Sequence, residues 1–591
     1  MFCKRTKSLV FTTTLLIVSA GWDGCARRPA SGVERLGVMP MENLSSDAQW
    51  DWRSRAASAV VVYDLAGAKD IFARQVDSVP AAQSMQASRL LQGYFFERNG
   101  RIGIRATLED LGRTKTLESF ELEGAASAGF LPLANELARR LSSSARTFST
   151  SNEKAFRFYG EALAARDSKD VEQALEAAVQ ADPGFSAGYV DEAKVLEETG
   201  DRERARQVIQ VGAGTRPDAI ERANLEYVAA TASGDGAGRM SALEQLTSAT
   251  PANPSIFKEL GEMRFARRQF QQAAMEYRVA AHLDPDEPGT WNELGYALAW
   301  AKDLSGAREA LAEYQKLAPG DANVLDSEGE VSYMRGDFKS AGEYFEKAAA
   351  KNPAEFVKGA EARLMVGDLP GADALFLKRL GPEANANSAG AEYQVAQWEF
   401  QTGRRRAGVA RMGKLWQETT GDLQSLALSQ LAVWKLETGD GKAAADLAKQ
   451  AVAGAQSPVV RKMSAIAAVI AAGGATSSGS KLADAYALLL VKKYREALPL
   501  LQAAYAETNP SVDGEIRTLL ASAYVETGAI DKAAGLVEST PLVLSFGEPQ
   551  FTAPILPLYL FVRSAVLEHE GKKNEARRSQ ELYTKYEGAR N

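Results

Sequence analysis

The chain has 591 residues, 25% of them charged and 45% hydrophobic, with a net charge of -7. This is the balance of a folded protein rather than a disordered one, and the dispersed basic residues give no electrostatic footprint for nucleic acid. With only two Cys and two His, neither a Cys/His zinc set nor a disulfide framework can be assembled, and His282 and His569 stand in no recognisable catalytic context.

The chain opens with Lys4, Arg5 and Lys7 ahead of an apolar run from Ser8 to Trp22. That is the length of a signal-peptide core and short for a bilayer span. The sequence therefore predicts an exported protein with a signal peptide over 1–24 and a tether over 25–33. Two processing sites compete. Val18-Ser19-Ala20 fits a small-x-small cleavage site, while Gly24-Cys25 resembles the end of a bacterial lipoprotein box, with Trp22 and Asp23 departing from its pattern. The second resemblance implies lipidation at Cys25, so the expected location is the periplasm or a lipid anchor at the cell envelope.

Residues 34–142 read as an α+β unit. Arg35 to Asn43 alternates as a strand, a helical stretch with Ser/Asp caps follows, then a second short strand and a helix. Leu90 to Gly124 reads as a three-strand meander whose first turn is Asn99-Gly100, a strong hairpin signal, and Phe130 to Leu141 closes the unit as a helix. The order βαβαβββα predicts helices over one mixed sheet. "VMPMENLSSD", "LLQGYFFERNGRIGIRATLED" and "LPLANELARRL" make the block resemble the amino-terminal domain of TolB and the related domain found ahead of helical arrays in bacterial signalling and cyclase-like proteins. The resemblance implies a non-catalytic adaptor domain.

From Pro183 the sequence keeps a fixed interval: Pro183, Pro217, Pro251, Pro285, Pro319 and Pro353 are each 34 residues apart. Gly261, Gly295 and Gly329 hold the same interval, as do Ala273, Ala307 and Ala341. With Trp291, Leu294 and Gly295, and Phe257, Leu260 and Gly261 one unit earlier, the pattern resembles the tetratricopeptide repeat, a helix-turn-helix unit of 34 residues. The fold class expected is thus an α+β N-terminal domain followed by an all-α superhelical solenoid: a regular array over 152–383 and divergent helical repeats over 390–591, about eleven pairs in all. Gly473 to Lys481 and Ser539 to Pro557 read as loops.

Few motifs suggest chemistry. "GGATSSGSK" has the glycine spacing of a phosphate loop but Ser480 where Lys is required, and reads as a flexible linker. Arg404-Arg405-Arg406 reads as a solvated helix start. No spacing selects a pair among the 76 acidic residues for acid/base work. No cofactor, metal or catalytic residue is therefore expected.

In proteins this repeat resembles, set positions of each unit line a concave groove that holds partner peptides, and others pack between helices. The resemblance places Lys258, Phe265, Asn292, Tyr296, Trp300, Tyr333 and Met334 in the groove, and Trp291 and Tyr314 in the packing; the alternative for the groove set is burial against a neighbouring helix of the superhelix. It also implies a groove that prefers an apolar or aromatic peptide to an acidic chain end, because Lys258 with Glu262, Asn292 with Tyr296, and Asp326 with Glu330 never supply the Lys/Asn pair that grips a carboxylate. The function expected is a non-enzymatic scaffold for a protein or peptide partner. Two alternatives are an envelope adaptor acting through the N-terminal domain and an envelope hydrolase built from acidic residues.

Overall fold

The computed structural model describes residues 32–45, 47–381, 388–510, 513–537 and 555–587. The signal segment, Cys25 and most of the loop expected at 539–557 lie outside these residues.

Strands β1 (Glu34–Val38), β2 (Glu42–Asn43), β3 (Ile71–Gln75), β4 (Arg89–Arg98), β5 (Arg101–Asp110) and β6 (Lys115–Ala125) form one mixed sheet in the order β3-β1-β4-β5-β6, with β2 beside β4. β1 runs parallel to β3 and β4, and β4-β5-β6 is the antiparallel meander. Asn99 (φ 54°) and Gly100 (φ 71°) both adopt the left-handed conformation that a two-residue hairpin turn needs. Strand alternation sends Val38, Leu91, Phe95 and Ile104 to the face covered by α1 (Trp52–Leu65), while Leu90 and Val76 face the short α2 (Val79–Ser84). Helix α3 (Leu131–Leu141) packs beside α1 through Leu131, Ala134 and Leu137.

The sheet unit and the array share one apolar core. Phe148, on the segment between them, is 3% exposed and contacts the rings of Tyr63, Phe156, Tyr159 and Phe185 at centroid distances of 4.9–6.0 Å. Trp52 meets Phe156 edge-on at 5.3 Å. Polar contacts extend the join: Arg146 pairs with Asp218, Tyr63 donates to Glu221, and Arg35 pairs with Asp284 and, at 2.9 Å, with Asp286.

The array begins with seven consecutive helix pairs: α4 and α5 (Glu153–Ala164, Ser168–Ala181), α6 and α7 (Ser186–Thr199, Arg202–Gly214), α8 and α9 (Ala219–Ser233, Gly236–Ala249), α10 and α11 (Pro254–Ala266, Phe270–Leu283), α12 and α13 (Pro288–Trp300, Leu304–Leu317), α14 and α15 (Ala322–Met334, Phe338–Ala349), α16 and α17 (Phe356–Met365, Leu369–Leu380). Each 34-residue proline follows the end of a second helix, where its missing N–H and its constraint on the preceding residue stop the helix. Gly261, Gly295 and Gly329 admit the partner helix closely, since a Cβ there would stand 2.9, 2.8 and 2.6 Å from Tyr277, Leu311 and Phe345. A further signal on the same interval is the second-helix cap: Asp201, Asp235, Asp303 and Asp337 each accept from backbone N–H groups. The residue before each cap is left-handed: Gly200, Gly234 and Gly336, but Arg268 and Lys302 between them.

The divergent half follows as α18 and α19 (Ala389–Gln401, Arg405–Glu418), α20 and α21 (Gly421–Glu437, Gly441–Gly454), the single α22 (Pro458–Ala471), α23 and α24 (Lys481–Leu490, Tyr494–Glu507), α25 and α26 (Gly514–Glu526, Ile530–Val537), and α27 and α28 (Ile555–His569, Lys573–Glu587). The described residues thus hold twelve pairs and one odd helix. The sequence assigned no element to 458–471; Ser457 caps this helix and Val460, Ile466, Ala467 and Ile470 bury its apolar stripe. The 473–481 loop is pinned rather than free, because the Asp484 carboxylate accepts from Ser478 N at 2.7 Å and from Ser477 Oγ at 2.5 Å. The arginine run also differs from a solvated helix start. Arg404 pairs with Asp373 at 2.7 Å and Arg405, 8% exposed, with Glu437 at 3.1 Å.

Candidate functional site

The groove residues fall into two groups. Lys258, Asn292 and Tyr296 form a polar track across successive first helices. Lys258 Nζ lies 3.3 Å from Glu293, while Ser327 Oγ donates to Asn292 Oδ1 at 2.8 Å and lies 3.3 Å from the Tyr296 hydroxyl. Burial pushes the Glu293 carboxyl up to about 7 against the pull of Lys258. One unit on, Asp326, Glu330 and Glu355 converge on the Lys358 ammonium at 2.7–3.2 Å. Burial raises Asp326 to about 6 in spite of that ammonium. The hydrolase reading needed converging carboxylates; these three share one ammonium, which pairs with each of them.

Phe265, Trp300, Tyr333 and Met334 are arranged differently. Trp300 is 7% exposed, stacked on Phe270 at 5.1 Å and edge-on to Phe265 at 6.2 Å. The Arg517 guanidinium, from α25 more than two hundred residues away, stands 5.4 Å from its ring. Tyr333 is 3% exposed, packs edge-on to Phe338 at 4.8 Å, and shares a core cluster with Ile555, Tyr559 and Val566 of α27. Met334 packs partly buried against the α11–α14 cluster that holds Leu298, Leu311 and Val331. The expectation of an open channel is therefore corrected at Trp300 and Tyr333, where the chain's own C-terminal helices add to the cover, while Phe265 and Met334 stay half-buried against the repeat core. Of the two packing residues, Tyr314 is buried and accepts from Asn323, and Trp291 is half-buried with its indole N–H donated to the Pro285 carbonyl at 2.8 Å.

This closure has a polar latch. Arg268, in the α10–α11 turn, lies 3.6 Å over the Tyr505 ring, donates to the carbonyls of Tyr505 and Thr508 at 2.9 and 3.2 Å, and pairs with Asp513 at 2.6 Å. The Asp513 side chain is fully buried and is also 3.3 Å from Arg517. A second seam joins α28 to α16: the Tyr586 hydroxyl donates to Leu364 O at 2.9 Å and Lys585 to Gly367 O at 2.8 Å.

Upstream of the filled stretch the same face holds a cavity of about 280 Å³. It is lined from the first helices α6, α8 and α10 by Lys194, Glu197, Asn224, Tyr227 and Glu259, with Leu243 and Leu246 of α9 behind them. The Tyr227 hydroxyl donates to Glu259. Sequence reasoning missed these residues although the register holds a signal: Asn224 lies one 34-residue interval before Lys258. No interval leads to Arg517 or Tyr559, whose place here comes from long-range closure.

Comparison with known proteins places the repeat. A family model described as tetratricopeptide repeat matches residues 488–544. A TPR repeat-containing protein of Pseudomonas aeruginosa is 26% identical over 193 residues, which cover 32% of this chain and 33% of the relative. The chain therefore matches about a third of that relative's length. Among solved structures, YrrB, described as a TPR protein with an unusual peptide-binding site, is 20% identical with a TM-score of 0.28, covering 31% of this chain and 94% of its own. MamA is 20% identical with a TM-score of 0.26, covering 29% and 94%. The Naa15/Naa10 complex bound to HypK is 14% identical with a TM-score of 0.32, covering 74% and 68%.

Proposed function

We propose that this tetratricopeptide-repeat chain is an exported scaffold that holds a protein or peptide partner on the inner face of its first helices, by shape and without turnover. The observation that carries the reading is the division of that face. From α6 to α10 it is a cavity with three glutamates, one lysine and a wall of Tyr227, Leu243, Leu246 and Ile256, whereas at Trp300 and Tyr333 the chain already occupies it. Repeats of this kind expose extended surfaces suited to binding rather than to chemistry. Lys258, Asn292 and Tyr296 continue the open stretch toward the filled one, and the partner would run along both.

A photo-crosslinking side chain at Asn224 or Lys258 tests the site in the native envelope. The expected result is one captured protein shared by both positions and absent from a control on the opposite face, such as Met275, which is 60% exposed. Capture from Met275 alone would sink the assignment. Export carries its own check. Cleavage ahead of Cys25 with lipidation should place the mature chain with membranes and make Cys25→Ser soluble; a soluble wild-type chain starting at Gly21 removes the anchor.

A further inference from the structure

The cavity on α6, α8 and α10 holds charges that its own surroundings do not meet. Lys194, the one cation in its lining, turns its ammonium back along α6 to Asp191 at 3.4 Å rather than on to the glutamates of the next turn. Glu259 accepts from the Tyr227 hydroxyl and lies 3.4 Å from Arg239. Glu197 and Glu198 are left over. Both line the cavity, Glu197 half-buried and Glu198 exposed, and neither forms an ion pair or a side-chain hydrogen bond among the described residues. The neutral polar side chains serve their own helix instead, since Asn224 Nδ2 donates to Ile220 O and Thr231 Oγ1 to Tyr227 O, each at 2.9 Å. Much of the remaining lining is aliphatic, from Val228, Leu243, Leu246 and Ile256.

The same excess continues along the polar track. Lys258, the residue before Glu259, faces Glu293 Oε1 at 3.3 Å, but Glu293 Oε2 is buried with no hydrogen-bond partner. A buried acceptor left so is costly, and it calls for a donor that the chain does not supply. Glu262, one turn after Lys258, is exposed and forms no ion pair among the described residues; its charge adds to the burial that holds the Glu293 carboxyl up at about 7. The unmet groups at the cavity and on the adjoining track are thus carboxylates.

We infer that the partner segment held here is basic: a Lys or Arg side chain enters the cavity with its aliphatic stem against Leu243, Leu246 and Ile256 and its cationic head at Glu197 and Glu198, and a second basic residue reaches toward Glu293. The inference deepens the reading of this cavity as the partner site and rests on it. The volume equals about nine liquid-water volumes of ~30 Å³, room for one long side chain. Long cationic side chains bury their stems along apolar surface and keep the head at a polar rim, where a hydrogen bond to a carboxylate is roughly twice as strong as one between neutral groups. A purely apolar segment would cover the aliphatic lining and leave both glutamates unmet, and an acidic one would be repelled by them. The repeat register asked only for an apolar or aromatic peptide; the charge that narrows this comes from Glu197 and Glu198, which the register did not select.

The test is calorimetric titration of the full-length chain with acetyl-Ala-Leu-Lys-Val-Leu-Lys-Ala amide and with analogues that carry norleucine or glutamate in place of both lysines. Saturable binding of the lysine peptide at one site is expected, with the norleucine peptide at least tenfold weaker and the glutamate peptide undetected. Raising the salt from about 50 to about 500 mM should weaken the lysine peptide several-fold and leave the norleucine peptide unchanged, because screening acts on the exposed ion pairs. The double variant Glu197→Gln, Glu198→Gln should bind the lysine peptide no better than the norleucine one, at an unchanged melting temperature. Lys194→Gln, which removes the one lining cation, should tighten the lysine peptide. Equal affinity for the lysine and norleucine peptides, absence of saturable binding, or full lysine-peptide affinity in the folded double variant would each overturn the basic assignment. Photo-crosslinking from Asn224 separates that failure from failure of the site: capture that persists keeps the partner site and removes only its basic ligand, whereas loss of both removes the site as well.

Discussion

Asp64 lies on α1 with 0% of its surface exposed and neither carboxylate oxygen hydrogen-bonded, and burial pushes its titration up to about 8 against the pull of Arg146 and Arg139. The folded value lies above the unfolded one near 3.8. The folded chain therefore holds a proton that the unfolded chain releases, and stability is full below about pH 4 and is lost as pH rises toward 8. Asp64→Asn should raise the melting temperature at pH 8 and flatten its decline between pH 5 and pH 8, as followed by circular dichroism. An unchanged slope would mean that another group governs that range. Trp300 belongs to the same scale. Stacked on Phe270 and covered by Arg517, it has the environment of a core side chain, so Trp300→Ala should cost about 3–5 kcal/mol in denaturant unfolding. A variant of unaltered stability would return Trp300 to the surface.

Within the elements, the 34-residue interval is enforced by contact. Ala307 is 0% exposed between the helices of its pair, and Ala307→Leu should lose about 1–3 kcal/mol through overpacking. Gly329→Ala should also destabilise, its new methyl entering the Phe345 ring, while Gly336→Ala acts through the backbone because nothing lies within 4 Å of that position. Urea unfolding of the three variants separates packing from backbone effects. These contacts explain why the regular array was legible: small residues and terminating prolines recur because each pair solves the same local problem. The meander was legible for the same reason, since Asn99-Gly100 fixes its turn locally. Helix α22 was not, because the loop at 473–481 follows it where a second helix would pair with it, although its first residue, Pro458, falls on the same 34-residue interval as Pro254 and Pro288. The filled groove was not either. Trp300 reads in sequence as a groove residue by register, whereas Phe265 and Phe270 of the preceding pair and Arg517 of α25 together make it core.

At the scale of the whole molecule, that return depends on a few buried charges. Arg268 and Arg517 share Asp513, a carboxylate with no exposed surface, and α27 lays Tyr559 and Val566 against Tyr333. The apolar contacts supply attraction without direction. The ion pairs set the register, because each arginine would otherwise be buried with its charge uncompensated. Arg268 is held by two backbone carbonyls and an aromatic face as well, so its geometry survives loss of the carboxylate better than that of Arg517, which is 5% exposed. Asp513→Ala should therefore cost about 3–5 kcal/mol and act on the seam before the array. The α4–α9 pairs, which do not touch Asp513, should keep their hydrogen-exchange protection while residues 514–526 and 555–569 lose theirs, and small-angle scattering should report a larger radius of gyration. Arg268→Ala should give the same pattern more weakly, since the buried Asp513 keeps Arg517. Uniform loss of protection along the whole chain would show that closure and array fold as one cooperative unit, and that the C-terminal helices are structural partners of the first repeats rather than a segment seated in their groove.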